Sequence, residues 1–598
     1  MRRAAICTTL SLALGLARPA VAQQPEAAGD TARWTLSPIT VQATRETRSL
    51  IDVPLAITRL APRDLFGANG YGLDEALGLV PGVVAQSRYG GSDVRIVIRG
   101  FGARGAGDRS NAGTSRGIRV LLDGVPETEP DGRTSFDNVD LASVASIEVI
   151  RSNASSLWGN AAGGVVSIST LDETRPRFAS LERQAGGFGL ARAVLRAGAP
   201  LGRGAIAASV ANTEFDGWRQ HSGASRWLAT LSAATTVGGR TRLGIYAVAT
   251  RNTFRIPGPL TQAEVDSAPE RANATYLARD ERRDNRLARL AVMLDHRIGA
   301  DHGISALLFA GPKYLQRSER NTYRDFTRYH VGGNVVWRSR VRLAPSLGGT
   351  ILAGVDEAYQ DGAILFYSLA CDTSAHTCGR GTTLRDNKRE GANNLGTFVQ
   401  AEVTAGQHLG VTLGARYDRI GYSYDSYITP SLDARRTFAR VTPKLGALWR
   451  FSPRHSVYAS LGGGIEVPAG NETDPASTFG QDTVTAINLL LEPIRSTTVE
   501  VGTKHVLPLT GNGLLRAVAY DVALYRTDVT NEIVPYRGGR FYFTAGKARR
   551  IGAELGVTVF ALEGVRLLAA VTASRNTYVT YVVDSVHYGR PGRTADYS

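Results

Sequence analysis

Arg99 closes the apolar run Val94 to Ile98 in VRIVIRGFGARGAG, and Arg151 closes a second run, Ile147 to Ile150, in IEVIRS. A guanidinium at the end of a buried strand needs a partner, because an unpaired buried charge costs several kcal/mol. A carboxylate gripped in a bidentate fork answers that need best. Two glutamates, Glu500 in TTVEVGTK and Glu554 in GAEL, alternate with apolar neighbours, so a strand at either place sets its carboxylate on the polar face. Such chemistry holds parts together. For reaction chemistry the sequence offers little: it has no GxSxG elbow, HExxH pair, paired-carboxylate motif or Walker sequence. The glycines after Arg99 do not open a helix in a βαβ unit, and the nine histidines lack metal-like spacing. An enzyme is not expected, nor a metal site or a bound cofactor.

The chain reads as exported. Residues 1–22 carry Arg2 and Arg3, an apolar run from Ala4 to Ala17 and the small-residue site Ala20-Val21-Ala22, the layout of a secretory signal peptide. Cys7 falls inside it. The mature cysteines, Cys371 and Cys378, sit in the polar stretch CDTSAHTC, where a local disulfide pinning a loop is expected. A metal site using His376 with both thiols would lack a fourth ligand. The net charge of +15 on an exported protein points to anionic lipid and anionic solutes rather than to nucleic acid. No run of roughly 18 apolar residues follows the signal, so the chain is either soluble or a membrane β-barrel.

The elements that must carry these residues fall into two regions. After about residue 175 many segments alternate strictly. In HLGVTLGARYDR, Leu409, Val411, Leu413, Ala415 and Tyr417 oppose Gly410, Thr412, Gly414, Arg416 and Asp418; RLARLAVMLDHR, LGTFVQAEV and RIGAELGVTV repeat the pattern. With short and long connections in turn, this favours an outer-membrane barrel over a soluble sandwich. Residues 45–172 differ. LDEALGLVPGVV reads as a short helix ending at Pro81-Gly82, and VRIVIRG, GIRVLLDGVP, IEVIRS and GGVVSIST read as strands buried on both faces, as in a compact α+β domain. Before them, residues 23–44 form a polar arm.

This arrangement resembles the TonB-dependent outer-membrane transporters, and the resemblance spans nearly all the mature chain. Four plug motifs stand in family order: Leu79-Val80-Pro81-Gly82-Val83, Ile98-Arg99-Gly100-Phe101-Gly102, Val120-Leu121-Leu122-Asp123-Gly124-Val125-Pro126, and the stretch from Ile147 to Thr170. Ser152 departs from the family's usual glycine, which leaves the local turn open. Gly159, Gly163 and Gly164 are expected to let the plug backbone lie close against the wall, with packing inside the plug alone as the alternative, favoured over a ligand role for Gly163 and Gly164. In the arm, Leu36, Ser37, Pro38, Ile39, Thr40, Val41, Gln42 and Ala43 look like a TonB box, a segment that adds as a strand to TonB.

The resemblance implies a mainly β fold: a large transmembrane antiparallel barrel over residues 173–598, occluded by an α+β plug over residues 45–172. It also implies a plug-to-wall cluster of arginines and glutamates, whose positions here are Arg99, Arg151, Glu500 and Glu554. The implied function is active transport of a ferric siderophore or other iron chelate into the periplasm, powered through TonB, by a monomer in contact with lipid and lipopolysaccharide. A passive porin or adhesin, and uptake of cobalamin or a saccharide, stay open as alternatives. Candidate substrate contacts are Arg104, Arg109, Arg116 and Arg119, since arginine forks suit carboxylate or catecholate groups. The acidic stretch Pro126 to Asp140 faces either the ligand or neighbouring arginines.

Both ends carry expectations. The short arm leaves no room for an N-terminal signalling domain, so a transport-only role is expected. At roughly 24 residues per strand with its loop, the barrel region yields about 17 or 18 strands, against the 22 of the family. A truncated chain is therefore expected, with a gap beside the first strand near residues 176–200, and a non-functional remnant stays open as a third alternative.

Overall fold

The computed structural model describes residues 40–62, 72–87, 94–102, 115–372, 374–375, 377–468, 492–509, 514–536, 541–544, 546–562, 565–583 and 586–587. Within the first part of the chain, β1 (Thr40–Val41) and β2 (Arg48–Ser49) form a two-stranded ribbon. Strands β3 (Ile57–Leu60), β4 (Val83–Ser87), β5 (Val94–Ile98), β6 (Phe101–Gly102), β7 (Ile118–Leu122), β8 (Val125–Pro126), β9 (Ser146–Ile150) and β10 (Gly164–Ser169) follow. They make a five-stranded sheet in the order β3-β9-β10-β7-β8 and a three-stranded sheet β4-β5-β6. Only the β10–β7 ladder is parallel among these pairs.

Every residue of β7 and β9 is buried, as runs without a wet face require. Ile118, Val120, Ile147, Val149 and Val166 pack into one apolar cluster, while Leu121, Ile150 and Val165 pack into another on the opposite face. Helix α1 (Leu73–Leu77) is shorter than the sequence suggests: Gly78 caps it, and Val80, which precedes a proline, is disfavoured in the helical region. Gly82 then turns the chain with φ 73°. Helix α2 (Ser155–Trp158) lies between β9 and β10.

From Phe178 onward an 18-stranded antiparallel sheet runs in sequence order. It comprises strands from Phe178–Ala185 to Arg566–Val583 and a two-residue return, Val586–His587. Leu347–Asp372 and Thr377–Ala405 are the longest. The alternation has the expected sense: Leu409, Leu413 and Tyr417 are exposed on the outer face, while Thr412, Arg416 and Asp418 are buried toward the first domain. Tight turns such as those after Val237, Ile298 and Ser452 gather at one end of the strands, and long connections such as 256–281 at the other. Among the described residues, Phe178–Ala185 pairs only with Ala191–Pro200, and no ladder joins it to the last strands.

Candidate functional site: the plug-to-wall ion pairs and the docked arm

Arg99 stands just after β5 in the left-handed region, φ 50°, with Gly100 at φ 78°. This turn aims its guanidinium at the barrel wall. Nε and Nη2 donate to the two oxygens of Glu554 at 2.7 and 2.9 Å, and Nη1 donates to Glu500 at 2.5 Å. The Tyr525 ring lies under the guanidinium at 4.2 Å. Arg151, at the end of β9, donates to Glu554 at 2.6 Å and also pairs with Asp521. The four residues named from the sequence are thus brought together, all buried. Burial alone would lower the pKa of Arg99, but the charges of Glu500 and Glu554 overcome it and hold the guanidinium well above its usual value.

Three members were not foreseen. Ser152 Oγ lies 2.8 Å from both oxygens of Glu500 and accepts from the Ala56 amide at 2.8 Å, so the departure from glycine adds a donor to the cluster. Tyr458 donates to Glu500 at 2.7 Å. Asp521 had a readable signal, because alternation with Val522 and Leu524 places it on the inner face. Of the three glycines expected against the wall, only Gly159 is there: an added Cβ would lie 2.8 Å from Asp418 Oδ1. A Cβ at Gly163 would strike Phe101 and one at Gly164 the Ile150 carbonyl, so those two serve packing inside the first domain.

Leu36, Ser37, Pro38 and Ile39 lie outside the described residues. Thr40, Val41, Gln42 and Ala43 are docked. Val41 and Ala43 are buried in the cluster with Leu55, Ile57 and Leu121. The amides of Gln42 and Ala43 both donate to one oxygen of Glu148, each at 2.7 Å, and Trp158 Nε1 donates to the Ala43 carbonyl at 2.8 Å. Burial pushes the Glu148 carboxyl up, against the pull of those two donors. Next along the arm, Arg45 makes a bidentate pair with Asp356 at 2.8 Å, stacks on Trp158 and donates to the Leu157 carbonyl, while Arg48 pairs with Glu402.

Of the proposed substrate arginines, the two described ones are buried. Arg104 and Arg109 lie outside the described residues. Arg116 is wholly buried with Glu466 3.9 Å away, and Arg119 lies within β7, on the same face as Leu121. Burial, with Arg416 and Arg45 nearby, outweighs Asp356 and lowers the Arg119 guanidinium to about 10. Neither side chain is displayed for an arriving ligand, because each belongs to the interior between plug and wall. The acidic stretch Pro126 to Asp140 meets bases of the wall: Glu127 pairs with Arg289, Glu129 with Lys313, and Arg328 lies 3.5 Å from both Glu129 and Asp131. Asp140 accepts from Arg192 at 2.7 Å, and Asp137 from Asn285 at 2.9 Å. Cys371 and Cys378 are joined by a disulfide across the long hairpin they flank. Among the described residues no group of three or more His, Cys, Asp or Glu is placed to hold a metal ion.

Two family models match: "TonB dependent receptor-like, beta-barrel" over residues 202–596 and "TonB-dependent Receptor Plug Domain" over residues 49–165. A hemin receptor of Yersinia pestis is 30% identical over 174 residues, 28% of this chain and 23% of that one. The match therefore spans less than a quarter of that receptor. The metal-pseudopaline receptor CntO of Pseudomonas aeruginosa is 23% identical over 505 residues, 75% of this chain and 67% of that one. Among solved structures, the siderophore receptor PiuA of Acinetobacter baumannii aligns with a TM-score of 0.70 at 15% identity, covering 91% of this chain and 82% of that one, a likeness of fold.

Proposed function

Since the chain belongs to the TonB-dependent receptor family of outer-membrane transport proteins, which are not enzymes, we propose that it imports a ferric siderophore or other iron chelate into the periplasm. The observation that carries this reading is the buried latch of Arg99 and Arg151 on Glu500, Glu554 and Asp521. Stripping a partner from a desolvated, bidentate ion pair is costly, so a lumen stoppered in this way suits a transporter that does work on the plug. A passive porin would gain nothing from such a latch. The arm supplies the handle. Residues 36–43 would pass to TonB as an added strand, and the pull would reach the plug through the ribbon of β1 and β2. Iron is cargo within the chelate, no resident cofactor is invoked, and one copy in contact with lipid and lipopolysaccharide suffices.

The test compares uptake of labelled iron chelates by an iron-starved host carrying this chain and by its TonB-deleted twin. Uptake of a chelate only in the TonB-proficient host is the expected result. Equal uptake in both hosts would favour a passive pore, and TonB-dependent uptake of cobalamin or a saccharide alone would reassign the cargo.

A further inference from the structure

The end of the barrel that carries the tight turns is strongly basic. Short turns mark the periplasmic side of an outer-membrane barrel. The start of the plug is held at the same end, since Asp52 pairs with Arg450 just before the turn at 453–454. Six exposed arginines stand on this rim: Arg203, Arg240 and Arg454 in turns, and Arg297, Arg340 and Arg342 in the last residues of the strands leading into them. None of the six makes an ion pair among the described residues. The carboxylates nearby are engaged elsewhere: Asp295 with Arg338, Glu173 with Arg242, Glu402 with Arg48 and Glu182 with Arg196. Asp172 accepts from the Thr174 amide and hydroxyl, and Asp301, exposed on the turn at 299–301, reaches no base among the described residues. At the opposite end exposed bases are matched instead, Arg389 by Asp361, Arg435 by Asp425, and Arg251 and Arg286 by Asp284.

Backbone hydrogen bonds knit neighbouring turns into one collar. Arg297 N donates to the Arg240 carbonyl at 2.9 Å, while Arg340 N donates to the Asp301 carbonyl and Gly406 N to the Ser346 carbonyl, each at 2.7 Å. Successive turns lie two strand spacings apart, about 10 Å, so the arginines are spread along an arc rather than aimed at one point. Exposed apolar side chains accompany them: Leu201 near Arg203, Val237 near Arg240, Ile298 beside Arg297, Leu343 beside Arg342 and Phe451 near Arg454. Trp449, also exposed, stacks on Phe451 at 5.1 Å. Aromatic rings so placed settle at the membrane–water interface. The charge therefore runs along the line where acyl chains give way to headgroups. An acidic protein docking at one place would want its arginines gathered, whereas a shell of lipid meets them one at a time.

We propose that this collar binds the phosphates of anionic phospholipid in the periplasmic leaflet, with guanidinium forks on the headgroup and the neighbouring apolar side chains on the acyl chains. The surface needs only a barrel in a bilayer and stands apart from the uptake reading above. The purified full chain in detergent is titrated with phosphatidylglycerol and with zwitterionic phosphatidylethanolamine, and bound lipid is counted by native mass spectrometry. Phosphatidylglycerol binds at least fivefold more tightly, and the preference shrinks as salt rises. The R240Q/R297Q/R340Q/R454Q variant loses the preference. R251Q/R286Q/R389Q/R435Q, which removes as many charges at the other end, keeps it. Asp301→Asn, which deletes the unmatched acid of the collar, strengthens it and serves as a gain-of-function check should the collar variant fold poorly.

Equal affinity for the two lipids, a folded collar variant that keeps the preference, or a loss of the same size in both fourfold variants would overturn the collar. If the collar variant does not fold, an Asp301→Asn chain indistinguishable from wild type has the same force. Displacement of bound phosphatidylglycerol by poly-glutamate would hand the surface to an acidic protein and end the lipid assignment.

Discussion

Glu554 is where the latch converges: it accepts two bonds from Arg99 and one from Arg151. Glu554→Ala strips two buried guanidiniums of a shared acceptor, and removing one partner of a buried pair costs about 3–5 kcal/mol. The urea concentration at which protease first cuts the plug should fall clearly; an unchanged midpoint would mean that the latch holds nothing. The four latch positions were legible from strand ends and alternation together with the motif match. Ser152 was not, because its role is set by Glu500, 348 residues away. Nor was the burial of Arg116 and Arg119, since a sequence shows that a stretch is basic but not which side of the plug it covers.

At the scale of elements, β9 has two jobs. Its apolar residues fill both faces of the plug sheet, and its one acid, Glu148, binds the amides of Gln42 and Ala43. Those amides are the ones an added strand would offer to a partner. Glu148→Ala should therefore loosen the arm without opening the latch: a cysteine placed at Gln42 reacts several-fold faster with a maleimide, while the urea midpoint of the plug moves little. Equal labelling in both backgrounds would show that Glu148 does not hold the arm. The strands themselves were readable, because period-two alternation is a local property. The early stop of α1 at Gly78 was also local, and outweighed the more conspicuous Pro81-Gly82.

At the scale of the whole molecule, plug and wall are joined by two seams of opposite polarity. On one side plug arginines meet wall acids; on the other Glu127, Glu129, Asp131 and Asp140 of the plug meet wall bases. Outside, Trp227, Trp337 and Trp449 are exposed on strands that face lipid, whereas Trp158 is held at the docked arm. In vesicles containing brominated lipid, replacing those three tryptophans by phenylalanine should abolish most of the quenching of intrinsic fluorescence, and replacing Trp158 should leave it intact. Strong residual quenching in the triple variant would place the strands differently in the bilayer. By itself the sequence determined the fold class, the near count of strands, the alternating faces and the residues able to latch, because each follows from composition, period or a local motif. Only the tertiary structure decided that the acidic stretch Pro126 to Asp140 answers wall bases and that the arm is clamped by Glu148. Those facts depend on cross-strand register and on the plug's rotation within the barrel, and both are set by contacts between residues far apart in the chain.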